Sequence, residues 1–182
     1  MANVEANEML VFGRYVLAQG INKLHYIDDE TYGRRGISSK LVNEKRMAVV
    51  HIIHGIELIF KAILLNQNYS IEKIRSRIYP IENESKLDDL LDPDRTIELS
   101  IIIEFFKKKY TDINFSCIER LNRIRNQIQH RGTKIGKKDI RDFIDSIQIV
   151  RDVHKREFPK RKSFDKYLET AIEQLENPEG GI

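Results

Sequence analysis

Residues Met47 to Leu65 read MAVVHIIHGIELIFKAILL, and the fold class follows from their periodicity. On a wheel at about 100° per residue, Val49, Ile52, Ile53, Ile56, Ile59, Phe60, Ile63 and Leu64 cover a broad apolar arc. His51, His54, Glu57 and Lys61 gather on the other side. This is the repeat of a helix and not the alternation of a strand. An arc so wide needs neighbours on nearly every side, which places the helix at the centre of a bundle. The four polar residues make Val49 to Leu65 a poor membrane span and a good buried helix. Inside a bundle those groups must be paired or must line a site. Glu57 and Lys61 stand at i,i+4 in the favourable order. They either pair on a solvent-facing stripe or support a site across the bundle. His51 and His54 are at i,i+3, not the i,i+4 of H-E-x-x-H, and Glu57 lies on the wrong side of them for zinc. No metal and no cofactor is expected.

Outward from this helix the chain keeps the same character. It has 182 residues, nine glycines and four prolines, a length typical of one domain with a full core. Hydrophobic residues make up 41% and charged residues 32%, which excludes a disordered chain. The sole cysteine, Cys117, permits no intrachain disulfide and fits a reducing, cytoplasmic setting; its place in an apolar stripe predicts a buried thiol. The N-terminus lacks the basic-then-apolar layout of a secretory signal. Lys plus Arg exceed Asp plus Glu by 31 to 28, a formal charge of +3. That bias permits a nucleic-acid partner without requiring one.

The expected architecture is an all-α bundle of about five to six helices in a single domain, residues 1–176, with 177–182 as a flexible tail. The first helix runs from about Val4 to Leu24, and a polar loop follows from Asp28 to Gly36. Ser38 or Ser39 caps the second helix, about Lys40 to Leu65. Ser70 opens a short helix that stops before Pro80. Glu82 to Asp94 is irregular, with one helical turn at Lys86 to Leu91. Further helices span about Thr96 to Tyr110, Asn114 to Arg131, Lys137 to Glu157 and Ser163 to Leu175. The Ile101-Ile102-Ile103 run within them carries strand propensity. Gly132 follows its helix in the position of a C-terminal cap. The basic run Lys155 to Lys162 reads as a solvated helix end or as a contact for an RNA backbone. No phosphate-binding loop, G-x-G-x-x-G, C-x-x-C or G-x-S-x-G motif is present.

The helix from Asn114 to Arg131 carries the chemistry. Its apolar stripe is Cys117, Ile118, Leu121, Ile124 and Ile128. Arg125 flanks that stripe at about 60° from its centre, and His130 lies about 160° away. Asn126 and His130 share a face. His130 therefore meets water or another subunit and is not a packed core histidine. The helix terminus favours its protonated ring, while Arg123, Arg125, Arg131 and Lys134 oppose it.

Arg125-Asn126-Gln127-Ile128-Gln129-His130 resembles the R-x4-6-H motif of the HEPN superfamily (higher eukaryotes and prokaryotes nucleotide-binding domains), with the preferred polar residue after the arginine present as Asn126. HGIELIFKAILL, residues 54–65, is similar to the early helix of that family, and the order of the two helices fits. The resemblance covers about Lys40 to Glu157. It implies a homodimer with the two motif helices face to face, and in many members a metal-independent endoribonuclease with a composite site. Carried over, Arg125 would bind the scissile phosphate, His130 would transfer protons and Asn126 would orient the phosphate or the histidine. Arg123, Arg131 and Lys134 would bind RNA backbone, and Glu57 and Lys61 would support the site. Products would be 2′,3′-cyclic phosphate and 5′-OH ends. A toxin or antiviral role with an antitoxin or regulatory protein as partner is in keeping with the family. The H-x-Y extension of one toxin branch is absent, because Gly132 stands where the tyrosine would be. The alternatives are a non-catalytic module that binds nucleotide, RNA or a protein, and a structural subunit of a larger complex.

Overall fold

The computed structural model describes residues 4–25, 39–69, 71, 97–131 and 137–176, apart from the side chains of 25, 39–42, 129–131 and 137–138. Among them are six α-helices and no strand: α1 (Val4–His25), α2 (Ser39–Asn66), α3 (Leu99–Lys109), α4 (Ser116–Arg131), α5 (Lys137–Glu157) and α6 (Lys162–Glu176). Several expectations lie outside the described residues. They are the Asp28 to Gly36 loop, Ser38 and Ser70 and the side chain of Ser39 as caps, the helix before Pro80, the Lys86 to Leu91 turn, the Gly132 cap and the tail.

The centre is α2, as its wide apolar arc demands. Ile52, Ile53, Ile56, Ile59, Phe60, Ile63 and Leu64 are fully buried, each stabilising the fold by roughly 1.5–3 kcal/mol relative to exposure. Four helices cover it, α1 most extensively, then α4, α3 and α5. Asn43–Asn66 is long and apolar enough to cross a membrane by length and composition. Here that stretch is mostly buried among its neighbours, which is where the interruptions by polar residues point.

The contact between α1 and α2 is unusually close. The helices run antiparallel, with Gly13 against Leu58 and Ile59, Leu17 against Gly55, and Gly20 against Ala48 and Ile52. A Cβ on Gly55 would sit 2.6 Å from the Leu17 backbone nitrogen, and one on Gly20 would sit 2.7 Å from that of Ile52. Backbone cannot yield as a side chain can, so glycine is what permits this spacing.

Two helices begin later than their sequence suggests. The expected start of α3 at Thr96 is replaced by Leu99, after an extended Glu98 (φ −75°, ψ 150°). Ile97 donates its N–H to the Ile71 carbonyl at 2.7 Å, so that segment is spent on a long-range link and not on a first turn. The α4 helix starts at Ser116 and not at Asn114; Asn114 Oδ1 accepts the Ser116 N–H at 3.0 Å, a local bond that competes with helix. The isoleucine run in α3 is helical in spite of its strand propensity, because Ile102 and Ile103 are fully buried against the core. Phe106 extends this packing, with its ring centroid 4.8 Å from Phe60 and 6.3 Å from Phe115.

The α4 and α5 helices lie antiparallel: Arg120 grips Asp142 through two hydrogen bonds. The α5–α6 hairpin is closed at one end by Arg141 beside Glu176. At its other end stands a buried polar chain. His154, fully buried, has Nδ1 2.6 Å from Asp165 Oδ1, and Arg14 of α1 hydrogen-bonds its Nε2. A guanidinium only donates, so Nε2 accepts and Nδ1–H donates to Asp165. The ring is therefore neutral. Phe158 and Phe164 enclose it, and the Arg14 guanidinium also lies over the Phe164 ring at 4.8 Å. Burial lowers the His154 pKa, Asp165 raises it and Arg14 lowers it, with a net result below its usual 6.5. The basic run expected as a solvated end or RNA contact is partly engaged in structure: Arg156 pairs with Asp112, and Arg161 bonds Asn7 at 2.7 Å.

Two outcomes follow. Gly55→Val forces α1 from α2 and lowers stability in urea by about 1–3 kcal/mol or more. The second concerns pH. The unfolded chain protonates His154 near 6.5 while the folded chain resists, so this stabilisation is present above 6.5 and is lost as pH falls below it. Unfolding measured between pH 8 and 5 declines in wild type, and His154→Gln, though less stable at pH 8, declines less.

Candidate functional site

The stripe of α4 anchors it to the core: Cys117, Ile118 and Leu121 are buried, and Ile124 and Ile128 pack against the same cluster. Cys117 is the buried thiol expected, and burial raises its pKa. Because the stripe faces inward, Arg125 emerges at the seam with α2, where the wheel places it. Its side chain is 20% exposed. Nη1 donates to Glu57 Oε2 at 3.0 Å. The other carboxylate oxygen, Oε1, accepts from Lys61 Nζ at 2.7 Å. One carboxylate thus holds two cations from two helices.

The solvent-facing stripe expected along α2 is corrected here. Lys61 is only 5% exposed and the Glu57 side chain 16%. The helix is covered on that side too at Glu57 and Lys61, where the pair meets a third member, Arg125. Of the four polar residues only His54 is exposed, and His51 is half-buried. Burial pushes the Glu57 carboxyl up, but Lys61 and Arg125 act on it by both charge and hydrogen bond and outweigh burial; its pKa is lowered from 4.5. With Glu57 ionised the three side chains carry a surplus positive charge.

The remaining predicted residues divide. Asn126 is exposed and its Oδ1 accepts from Arg125 Nε at 3.3 Å, so it braces the guanidinium. Arg123 is exposed on the same helix. Residues 130 and 131 form the last turn of α4 in backbone; their side chains, and Lys134 entirely, lie outside the described residues. The structure thus brings together Arg125, Asn126, Glu57 and Lys61. Arg125 has five N–H donors, and two are engaged by the described residues.

One member escaped the sequence reading. His54 lies one turn before Glu57 on the same face of α2, close enough that Glu57, Lys61 and Arg125 all act on its charge. Loss of water around the ring lowers its pKa first, Glu57 raises it, and Lys61, Arg125 and His51 lower it further, with a net fall from 6.5. The i,i+3 spacing to Glu57 was the available signal; weighed only against metal chemistry, it pointed nowhere. Among the described residues no group of three or more His, Cys, Asp or Glu side chains is placed to hold a metal ion.

A polar cleft of about 370 Å³ opens elsewhere, between the start of α4 and α5, along Asp112, Cys117, Arg120, Asp145 and Asp152. None of the predicted site residues lines it. Its carboxylates are already answered by Arg156, Arg141 and Arg151, which leaves it little charge to offer a ligand. No known family matches the chain, and neither a curated protein nor a solved structure matches it.

Glu57→Gln keeps the shape and removes the charge that Arg125 and Lys61 share. At pH 7 it lowers unfolding stability by roughly 3 kcal/mol. The Glu57 contribution is present above 4.5 and fades as pH falls through the lowered folded value, so in denaturant titrations the gap between variant and wild type narrows on acidification.

Proposed function

We propose that the protein is a metal-independent endoribonuclease of HEPN type, acting as a homodimer in which the α4 helices of two copies face one shared cleft. The observation that carries this reading is the half-buried Arg125, held by Glu57 and Asn126 on the helix whose last turn bears His130. A phosphodiester carries one negative charge and needs a donor fork that is fixed before the substrate arrives. Arg125 is such a fork: its position is set by Glu57, and three of its donors are not taken up by the described residues. The surplus positive charge of Arg125, Lys61 and Glu57 favours an anion there.

In the proposed reaction the ribose 2′-OH gives up its proton and attacks the adjacent phosphorus. The P–O5′ bond breaks, and the leaving 5′-oxygen takes a proton. Arg125 neutralises the developing charge on the phosphoryl oxygens. His130 serves in proton transfer, and two copies of the motif supply the groups that one copy lacks. Arg123, Arg131 and Lys134 bind the flanking backbone, which makes the affinity salt-dependent. Glu57 and Lys61 act through Arg125 as positioning residues. Biologically this chemistry suits a toxin or an antiviral effector restrained by a protein partner in the cytoplasm.

A second reading draws on the Glu57–Arg125 bond itself. An arginine already paired has spent part of its charge, as a module that binds nucleotide, RNA or a protein without turnover can afford. RNA cleavage in excess chelator decides between them. Wild type is expected to cut and to leave 2′,3′-cyclic phosphate ends, and an all-2′-deoxy substrate to resist. Arg125→Ala should lose about 10²–10³ in rate and His130→Ala about 10²–10⁴. Wild type that binds RNA without cutting it selects the second reading.

A further inference from the structure

We infer that His54 is a further catalytic residue of this site, the base that takes the ribose 2′-proton while Arg125 holds the phosphate. The inference rests on the nuclease reading and deepens it. The motivating geometry is the shared face of α2. His54, Glu57 and Lys61 fall within about 60° of one another on the helix, and Glu57 is bonded to Arg125 at 3.0 Å. The depth of the cluster grades outward. Lys61 is buried, Glu57 and Arg125 are half-buried, and His54 and Asn126 are exposed. The three charged side chains therefore form the floor, and the imidazole and the amide form the rim where a chain of RNA can reach them.

The chemistry fits an imidazole at that place. The groups that face it are Glu57, Lys61 and His51 of its own helix and Arg125 of α4. Loss of water around the ring, and after it Lys61, Arg125 and His51, favour a neutral ring against the opposing charge of Glu57. A neutral ring at pH 7 is what a general base must be. The phosphate bound by Arg125 then brings a negative charge beside the ring and stabilises the imidazolium as the proton arrives. In the balanced step His54 accepts the 2′-proton, the O2′–P bond forms as P–O5′ breaks, and the leaving O5′ takes its proton from solvent water. His54 afterwards returns its proton to water. The base comes from α2, on the face that Arg125 meets through Glu57.

The test uses the full-length protein with His54→Gln, an exposed substitution that leaves the core untouched, checked by thermal unfolding. Chelator-treated wild type and variant are assayed on single-stranded RNA from pH 5 to 9. Expected is a fall of about 10²–10⁴ in kcat with RNA affinity nearly unchanged, and loss of the ascending acid limb of the kcat/KM profile. In parallel, nuclear magnetic resonance follows the His54 ring through a pH titration with and without a 2′-O-methyl oligonucleotide. Its pKa should rise when the oligonucleotide binds. If wild type cuts RNA and His54→Gln cuts equally fast with the same pH profile, the inference is overturned and the nuclease reading stands. If wild type does not cut, the nuclease reading fails and takes the inference with it. A ring whose titration ignores the oligonucleotide, in a protein that binds it, likewise overturns the role.

Discussion

Everything at the Arg125 seam depends on one carboxylate shared by two cations. Glu57 must be ionised because Lys61 and Arg125 are bonded to its two oxygens, and Lys61 can be buried because Glu57 is ionised. Neither condition would arise on an exposed helix. They arise because α2 is so apolar that its neighbours close over Lys61 and most of Glu57 even on its polar side. Burial of the unpaired groups would be very costly, whereas in the hydrogen-bonded set both carboxylate oxygens are paired with a cation and one positive charge is left over. The same bonds fix where α4 stands against α2, so the electrostatic floor of the site and the packing of the bundle are one arrangement.

The molecule holds a second polar network, and the contrast is instructive. Arg14, His154 and Asp165 tie α1, α5 and α6 together in a chain that leads from guanidinium through a neutral ring to carboxylate. His154 is sealed beneath two phenylalanines. Each end of that ring has its partner, and a substrate has no way in. The Arg125 network is open where this one is closed. Its arginine retains donors, its rim is exposed, and its charges do not cancel. Buried ionic groups of the closed kind tie helices together at some cost in stability; those of the open kind leave their charge available to something that arrives from solvent.

Much of this was legible in the residues. The helical repeat of residues 47–65 specified both the class and the centre of the bundle, because burial on all sides leaves no other place for it. Tandem isoleucines in α3 gave a local strand signal that tertiary packing overrode. The late start of α3 was hidden, since a backbone bond from Ile97 to Ile71 depends on a contact that spacing does not display, whereas the late start of α4 rests on a local Asn114 side-chain bond. The Glu57–Lys61 pair could be read from i,i+4, but its depth could not. Arg125 lies 68 positions from Glu57, and no local rule joins them. His54 escaped for the same reason: its significance comes from a helix far along the chain. The link from His154 to Arg14 spans 140 positions and was equally invisible.

The central claim is that the α4 helices of two copies meet across a common cleft. Double electron–electron resonance between spin labels on Gln127→Cys, in a Cys117→Ala background, measures this most directly. Two facing helices hold the labels within about two helix diameters, roughly 20–25 Å, and the account predicts a narrow distribution there. A monomer without dipolar modulation, or a dimer whose labels lie far beyond that span, contradicts it.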